Sequence, residues 1–229
     1  MIKAEHLLYL DESYYDSLGM PRFYTMTGAL VDFSCTDSYR RMIRDLEAIA
    51  RRQPVNRHGY RGLHAKEMTS PERRKDLESA QRVIADCDAV RVAVTVRTYT
   101  ACVRSSEDAR QICLTNLVTY FQSVGPLAGI TLDTRDDLGR TAKSAKAEQG
   151  SKNARDLYTL QNLKAFGELD SSVKIFHARD EVVHQLWVPD IVGYVVARSI
   201  ARHDRQYMSI LAGKVDIRQA VTLPPYMRG

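Results

Sequence analysis

No Cys-x-x-Cys or other close pair occurs among Cys35, Cys87, Cys102 and Cys113, which argues against a cysteine-based zinc site. Three of the four fall on helical or strand-like patterns, where a free thiol behaves as a small hydrophobe, and a reducing, cytoplasmic compartment is the natural expectation. Long apolar runs are lacking too. The longest, Leu186 to Ala197, is broken by Pro189 and Asp190 and falls short of the roughly 20 residues a membrane span needs. The start, with Lys3 and Glu5 ahead of a strand, does not read as a signal peptide. There is no internal repeat, no low-complexity tract and no extreme charge. A net charge of +5 and a pI near 9.0 permit a nucleic-acid partner without demanding one. What is left is ordinary globular composition, 44% apolar and 27% charged over 229 residues, enough for a full core in one domain.

Within that frame one stretch stands out: Leu7-Leu8-Tyr9-Leu10-Asp11-Glu12-Ser13. A strand-forming apolar run ends in two carboxylates and a hydroxyl. Alternation sends Leu7, Tyr9 and Asp11 to one face and Leu8, Leu10 and Glu12 to the other. A carboxylate at the end of a buried strand needs water, a partner or a metal, because burying it bare is prohibitive. A plain turn beginning at Asp11 is the competing reading.

The rest of the chain alternates between the two periodicities. A turn-rich segment from Tyr14 to Pro21 leads to a strand over Phe23 to Phe33, the short connection pointing to an antiparallel hairpin. Thr36 or Asp37 caps a helix carrying Tyr39, Met42, Ile43, Leu46 and Ile49, stopped by Pro54. After a basic loop containing Leu63-His64-Ala65-Lys66-Glu67, Thr69 and Glu72 form a capping-box pattern for a helix burying Leu77, Ala80, Val83, Ile84 and Cys87. Val90 to Arg97 alternates as a strand, and Ser105 or Ser106 opens a helix closed by Gly125-Pro126. Gly129 to Asp133 repeats the opening logic of an apolar strand ending in a carboxylate. From Gly139 to Arg155 there are five basic residues, Arg140, Lys143, Lys146, Lys152 and Arg155, against one acidic residue, Glu148. A helix over Leu157 to Phe166, a strand over Val173 to Ala178 and a long helix over roughly Val182 to His203 follow. The tail from about residue 204 gives no clear element. Alternating strands and helices call for an α/β sandwich with a mixed or parallel sheet.

In the last helix Leu186, Asp190, Gly193, Ala197 and Ile200 share one face. Asp190 thus lies in the core stripe, while Gly193 and Ala197 are small enough for close approach to the sheet. A first-turn Asp also complements the helix dipole. Asp11, Asp133 and Asp190 together form a set of carboxylates able to converge at one end of a sheet. Clustered oxygen ligands suit Mg²⁺ or Mn²⁺, and two such ions would serve phosphodiester hydrolysis. The basic segment, Lys143, Lys146, Lys152 and Arg155, could then hold a DNA or RNA backbone.

The Tyr-Leu-Asp-Glu-Ser opening, the Leu-His-Ala-Lys-Glu segment, the mid-chain Leu-Asp strand and the Leu-x-x-x-Asp-Ile-Val-Gly helix resemble domain-of-unknown-function family 3800. That family is widespread in bacteria and phages and is placed in the ribonuclease-H-like superfamily. The resemblance runs from about Tyr9 to Ala197. It implies one ribonuclease-H-like domain over residues 1–229, with a mixed five-stranded sheet flanked by helices on both faces, a basic insertion around 134–156 and a C-terminal tail. It implies Asp11, Asp133 and Asp190 as metal ligands in two-metal phosphodiester hydrolysis, Glu12 and Glu67 as accessories, and His64 as proton shuttle or substrate contact. Two departures concern the substrate side. Tyr14 stands where the family usually has Gly, and Trp187 and Pro189 stand where Gln and Ala are usual. A catalytically inactive module of the same fold, binding nucleic acid or protein, is the alternative. An aspartyl-nucleophile phosphatase ranks below both, because Asp11-Glu12-Ser13 lacks the second Asp of that chemistry.

Overall fold

The computed structural model describes residues 6–15, 22–55, 59–99, 106–134, 145–202 and 206–221. The strands are β1 (His6–Tyr15), β2 (Arg22–Asp32), β3 (Val90–Tyr99), β4 (Leu127–Asp133), β5 (Lys174–Ala178) and β6 (Val215–Gln219). The helices are α1 (Thr36–Ala50), α2 (Arg74–Ala85), α3 (Ser106–Val124), α4 (Ala145–Ala165) and α5 (Trp187–Arg202). All six strands join one sheet in the order β5-β4-β1-β2-β3-β6. β1, β2 and β3 form an antiparallel meander, while β4 and β5 add parallel to β1 and β6 adds parallel to β3. The sheet is therefore mixed, as the alternation of units predicts, with six strands where five are expected. The sixth is β6, in the tail. Its Val-Asp-Ile-Arg-Gln sequence is short and largely exposed, so it carries no apolar face for a pattern to register.

Alternation along the strands builds two cores. Leu8, Leu10, Tyr24, Met26 and Leu30 pack with Leu114, Leu117 and Phe121 of α3 and Leu160 and Leu163 of α4. Tyr9, Phe23, Ala29 and Val31 face the other way, with Met42 and Leu46 of α1, Leu77 and Ile84 of α2, and Ile191, Val192 and Val195 of α5. Helices thus cover both faces. The α1–α2 segment is spliced into the β2–β3 connection and lies against α5. Close approach of α5 to the sheet depends on Gly193, where a Cβ would meet the Thr27 hydroxyl oxygen at 2.6 Å.

Several boundaries move. β1 does not stop at Asp11 but continues to Tyr15, paired throughout with β2 from His6↔Asp32 to Tyr15↔Phe23. The turn reading of Asp11 therefore fails, and a longer hairpin replaces it. The Thr69–Glu72 capping box is not used. Residues 67–69 form a 3-10 turn in which the Thr69 hydroxyl donates to the Lys66 carbonyl, and α2 starts at Arg74 without a side-chain cap. The last helix begins at Trp187 after a 3-10 turn at 184–186 rather than at Val182. Cys87 and Cys113 are buried free thiols and Cys35 is exposed; Cys102 lies outside the described residues. Among the described residues no helix is long and apolar enough to cross a membrane.

Candidate functional site

Three adjacent parallel strands, β5, β4 and β1, bring carboxylates together: Asp133 at the end of β4, Asp180 just past the end of β5, and Asp11 midway along β1. The β1–β4 register aligns Tyr9 with Thr131 and Leu10 with Leu132. Asp11 and Asp133 come next on each strand, on the face that α5 covers. Asp133 pairs in turn with Ala178 of β5, and the Thr134 amide donates to the Ala178 carbonyl at 2.8 Å. Asp180 follows two residues on. Asp190 arrives from the first turn of α5, and its Oδ2 accepts the Ala65 amide at 2.9 Å. Asp190 thus sits in the first turn of α5 and is turned toward the other acids.

These four acids keep part of their surface in solvent while sitting deep among other groups, and all are pushed above the ordinary carboxylate range. For each the leading cause is burial, which penalises the charged form. Asp133 rises to about 7, helped by the negative charges of Asp180 and Asp190 and opposed by the Thr134 amide and His64. Asp190 rises to about 6, held down by the Ala65 amide and His64. Asp11 is raised well above its usual value by burial, then by Asp190 and Asp133, against a lowering pull from Arg110. Asp180 is raised by burial and pulled back by His64, whose Nδ1 lies 3.6 Å from its Oδ2. Asp11, Asp133, Asp180 and Asp190 therefore share one electrostatic neighbourhood with a surplus of negative charge.

Glu12 goes to the opposite face, as alternation requires. There it meets Arg110 of α3 in an ion pair and accepts the Tyr24 hydroxyl. Arg110 is 3% exposed and Asp156 of α4 is 1% exposed. The guanidinium grips Asp156 with two bonds of 2.8 Å and donates a third, 2.8 Å, to the Tyr24 hydroxyl. His177 Nε2 stands 3.6 Å from Asp156. A cavity of about 80 Å³ is lined by Asp11, Glu12, Arg110 and Asp133, so the acid cluster and the buried arginine network meet midway along β1.

Of the other sequence-predicted residues, His64 lies beside Asp180. Glu67 is exposed on its 3-10 turn, close enough for its charge to raise Asp190. Trp187 is 1% exposed and stacks on His184 with ring centres 4.2 Å apart; it is core, not a rim for stacking bases. Arg155 is exposed on α4. Lys143 lies outside the described residues, as do the side chains of Lys146 and Lys152. Sequence reasoning missed Asp180 and the Arg110–Asp156–Tyr24 network. Both carried a signal. Asp180 closely follows the strand Ile175 to Ala178, and Arg110 shares a helical stripe with Leu114, Leu117 and Phe121 at steps of 4, 3 and 4.

The donor chemistry of the acid cluster fits a hard divalent cation: four carboxylates, with Arg110, the cation that acts on Asp11, already engaged by Glu12 and Asp156. Among the described residues no three His, Cys, Asp or Glu side chains stand preassembled around a common metal position. What fits is the set and its charge, not a finished cage.

No family model and no curated protein sequence matches the chain, so the likeness to family 3800 rests on its short motifs. Among solved structures the chain is similar to one described as the PCNA:RNase HII complex from Archaeoglobus fulgidus, at 9% identity and a TM-score of 0.43, over 91% of this chain and 81% of that one. It is also similar to ribonuclease H2 from Pyrococcus horikoshii OT3, at 12% identity and a TM-score of 0.42, over 92% and 80% of the two chains.

Proposed function

We propose that this chain, read as one ribonuclease-H-like domain over residues 1–229, is a metal-dependent nuclease that hydrolyses phosphodiester bonds of DNA or RNA. The observation that carries the reading is the shared electrostatic neighbourhood of Asp11, Asp133 and Asp190, three acids far apart in the chain: Asp190 and Asp133 raise Asp11, and Asp190 raises Asp133. Asp11, Asp133 and Asp190 would hold two Mg²⁺ or Mn²⁺ ions, with Asp180 as a fourth donor. When bound, such ions activate water and neutralise charge on the phosphate and the leaving oxygen. The protein's own groups do the rest. The Ala65 amide fixes Asp190, and His64, 3.6 Å from Asp180, would carry a proton to or from the substrate side or touch the phosphate. Glu67 adds negative charge at the rim. Glu12, clamped by Arg110, anchors the strand that carries Asp11, a supporting role rather than direct metal ligation. Lys143, Lys146, Lys152 and Arg155 supply positive charge along the strand backbone.

Calorimetric titration with Mn²⁺ and a cleavage assay on labelled oligonucleotides test this together. Wild type should bind Mn²⁺ and cleave. Asp133→Asn should lower cleavage by about 10²-fold or more and weaken Mn²⁺ binding while the protein stays folded. Folded wild-type protein that ignores Mn²⁺ would leave the inactive nucleic-acid or protein-binding module as the better reading, which the lack of a preassembled metal group favours.

A further inference from the structure

Between Tyr39 and Arg61 the chain carries seven arginines, no lysine and only two acidic residues, Asp45 and Glu47. That local excess equals the +5 of the whole chain. The stretch spans most of α1 and the loop after it. α1 buries Tyr39, Met42, Leu46 and Ile49, which leaves Arg40, Arg41 and Arg44 exposed. These three line a groove of about 580 Å³ together with Tyr39, Gln185 and two carboxylates, Asp37 and Glu47, so that arginines outnumber acids three to two there.

The charges in that groove are unevenly spent. Glu47 is engaged by His184 Nδ1 at 2.9 Å, and farther along Arg52 is taken by Asp76 at 2.7 Å. Arg40, Arg41 and Arg44 enter none of the ion pairs among the described residues. A structural role would consume the guanidinium groups; here they face solvent. Arg40 and Arg44 are one turn apart, about 6 Å along the axis, so both can grip the same short run of a polyanion. Arginine in place of lysine favours phosphate, whose oxygens match the planar fork of the guanidinium.

The groove is linked to the acid cluster by the chain itself. Gln185, which lines it, is bonded to the Tyr39 hydroxyl and belongs to the segment that carries Asp180 at one end and Asp190 at the other. We infer that this α1 groove seats the phosphate backbone of the nucleic-acid substrate, leading it toward the carboxylates. The identity of the polyanion rests on the nuclease reading above.

The test is fluorescence anisotropy of a labelled single-stranded oligonucleotide in chelator, over a series of salt concentrations, with full-length protein. Arg40→Ala/Arg44→Ala should weaken binding by roughly tenfold to a hundredfold and make the slope of log K against log salt shallower by about 1.4. Arg41→Gln, a milder change on the exposed face, should make the slope shallower by about 0.7 and guards against misfolding of the double variant. Unchanged affinity and slope in folded Arg41→Gln and Arg40→Ala/Arg44→Ala overturn the inference, whatever the cleavage assay gives. Arginine-dependent binding by wild-type protein that shows no Mn²⁺-dependent cleavage removes the hydrolase reading and leaves the groove standing.

Discussion

Asp11 and Glu12 are neighbours in the chain with opposite fates, and the alternation of one strand decides it. Asp11 enters a pool of like charge, whereas Glu12 is tied to a guanidinium that also grips Asp156. A buried arginine shared by two carboxylates is costly to remove, because both acids are then left without compensation. Arg110→Ala should therefore lower stability by about 3–5 kcal/mol in denaturant unfolding. It should also raise the pKa of Asp11 further, since Arg110 is the charge that pulls it down, and so shift the pH midpoint of Mn²⁺ binding upward. A loss within the range of ordinary surface substitutions, about 0.5 kcal/mol, would mean the network carries little.

Among the elements, α5 matters most for the site, and its seat on the sheet is set by Gly193. A methyl group there would sit 2.6 Å from the Thr27 hydroxyl oxygen and 3.4 Å from that of Ser13. Gly193→Ala should cost about 1–3 kcal/mol through overpacking and displace Asp190, one turn earlier, so that Mn²⁺ affinity falls as well. Thr27→Ala in the same chain removes the clashing atom and should recover most of both losses; a double variant no better than the single one would place the strain elsewhere. The sequence announced this contact. Leu186, Asp190, Gly193 and Ala197 at helical spacing were enough to put an acid and two small residues on the inward face. It announced β1, β4 and the hairpin equally well, because buried strands leave a period-2 record. It could not announce β6, whose exposed residues carry no such record, nor the true start of α2, where a capping-box pattern was overridden by a 3-10 turn. Asp180 and Arg110 were readable by the same rules that singled out Asp190. The Arg110–Asp156 pairing was not, since only the tertiary fold sets α3 against α4.

Taken as a whole, the molecule holds at one end of its sheet several acids whose folded pKa lies above the unfolded value near 3.8. The folded state therefore binds more protons than the unfolded one between those values. The associated stability is fully present below about pH 4 and is lost as pH rises through about 6 for Asp190 and about 7 for Asp133. In chelator, Tm should accordingly fall between pH 5 and pH 8. Asp133→Asn, which imitates the neutral acid, should flatten the profile and melt a few degrees above wild type at pH 8. Added Mn²⁺ should restore wild-type Tm most strongly at that pH, because binding to the folded form alone adds stability. A wild-type profile that is flat from pH 5 to pH 8 would contradict the charge surplus. The topology also sets the order in which the acid cluster is completed. The amide that steadies Asp190 comes from residue 65, inside the long excursion between β2 and β3, while Asp190 itself is synthesised more than a hundred residues later. A partly made or partly folded chain therefore cannot complete the cluster, which is assembled only once that excursion has docked against α5.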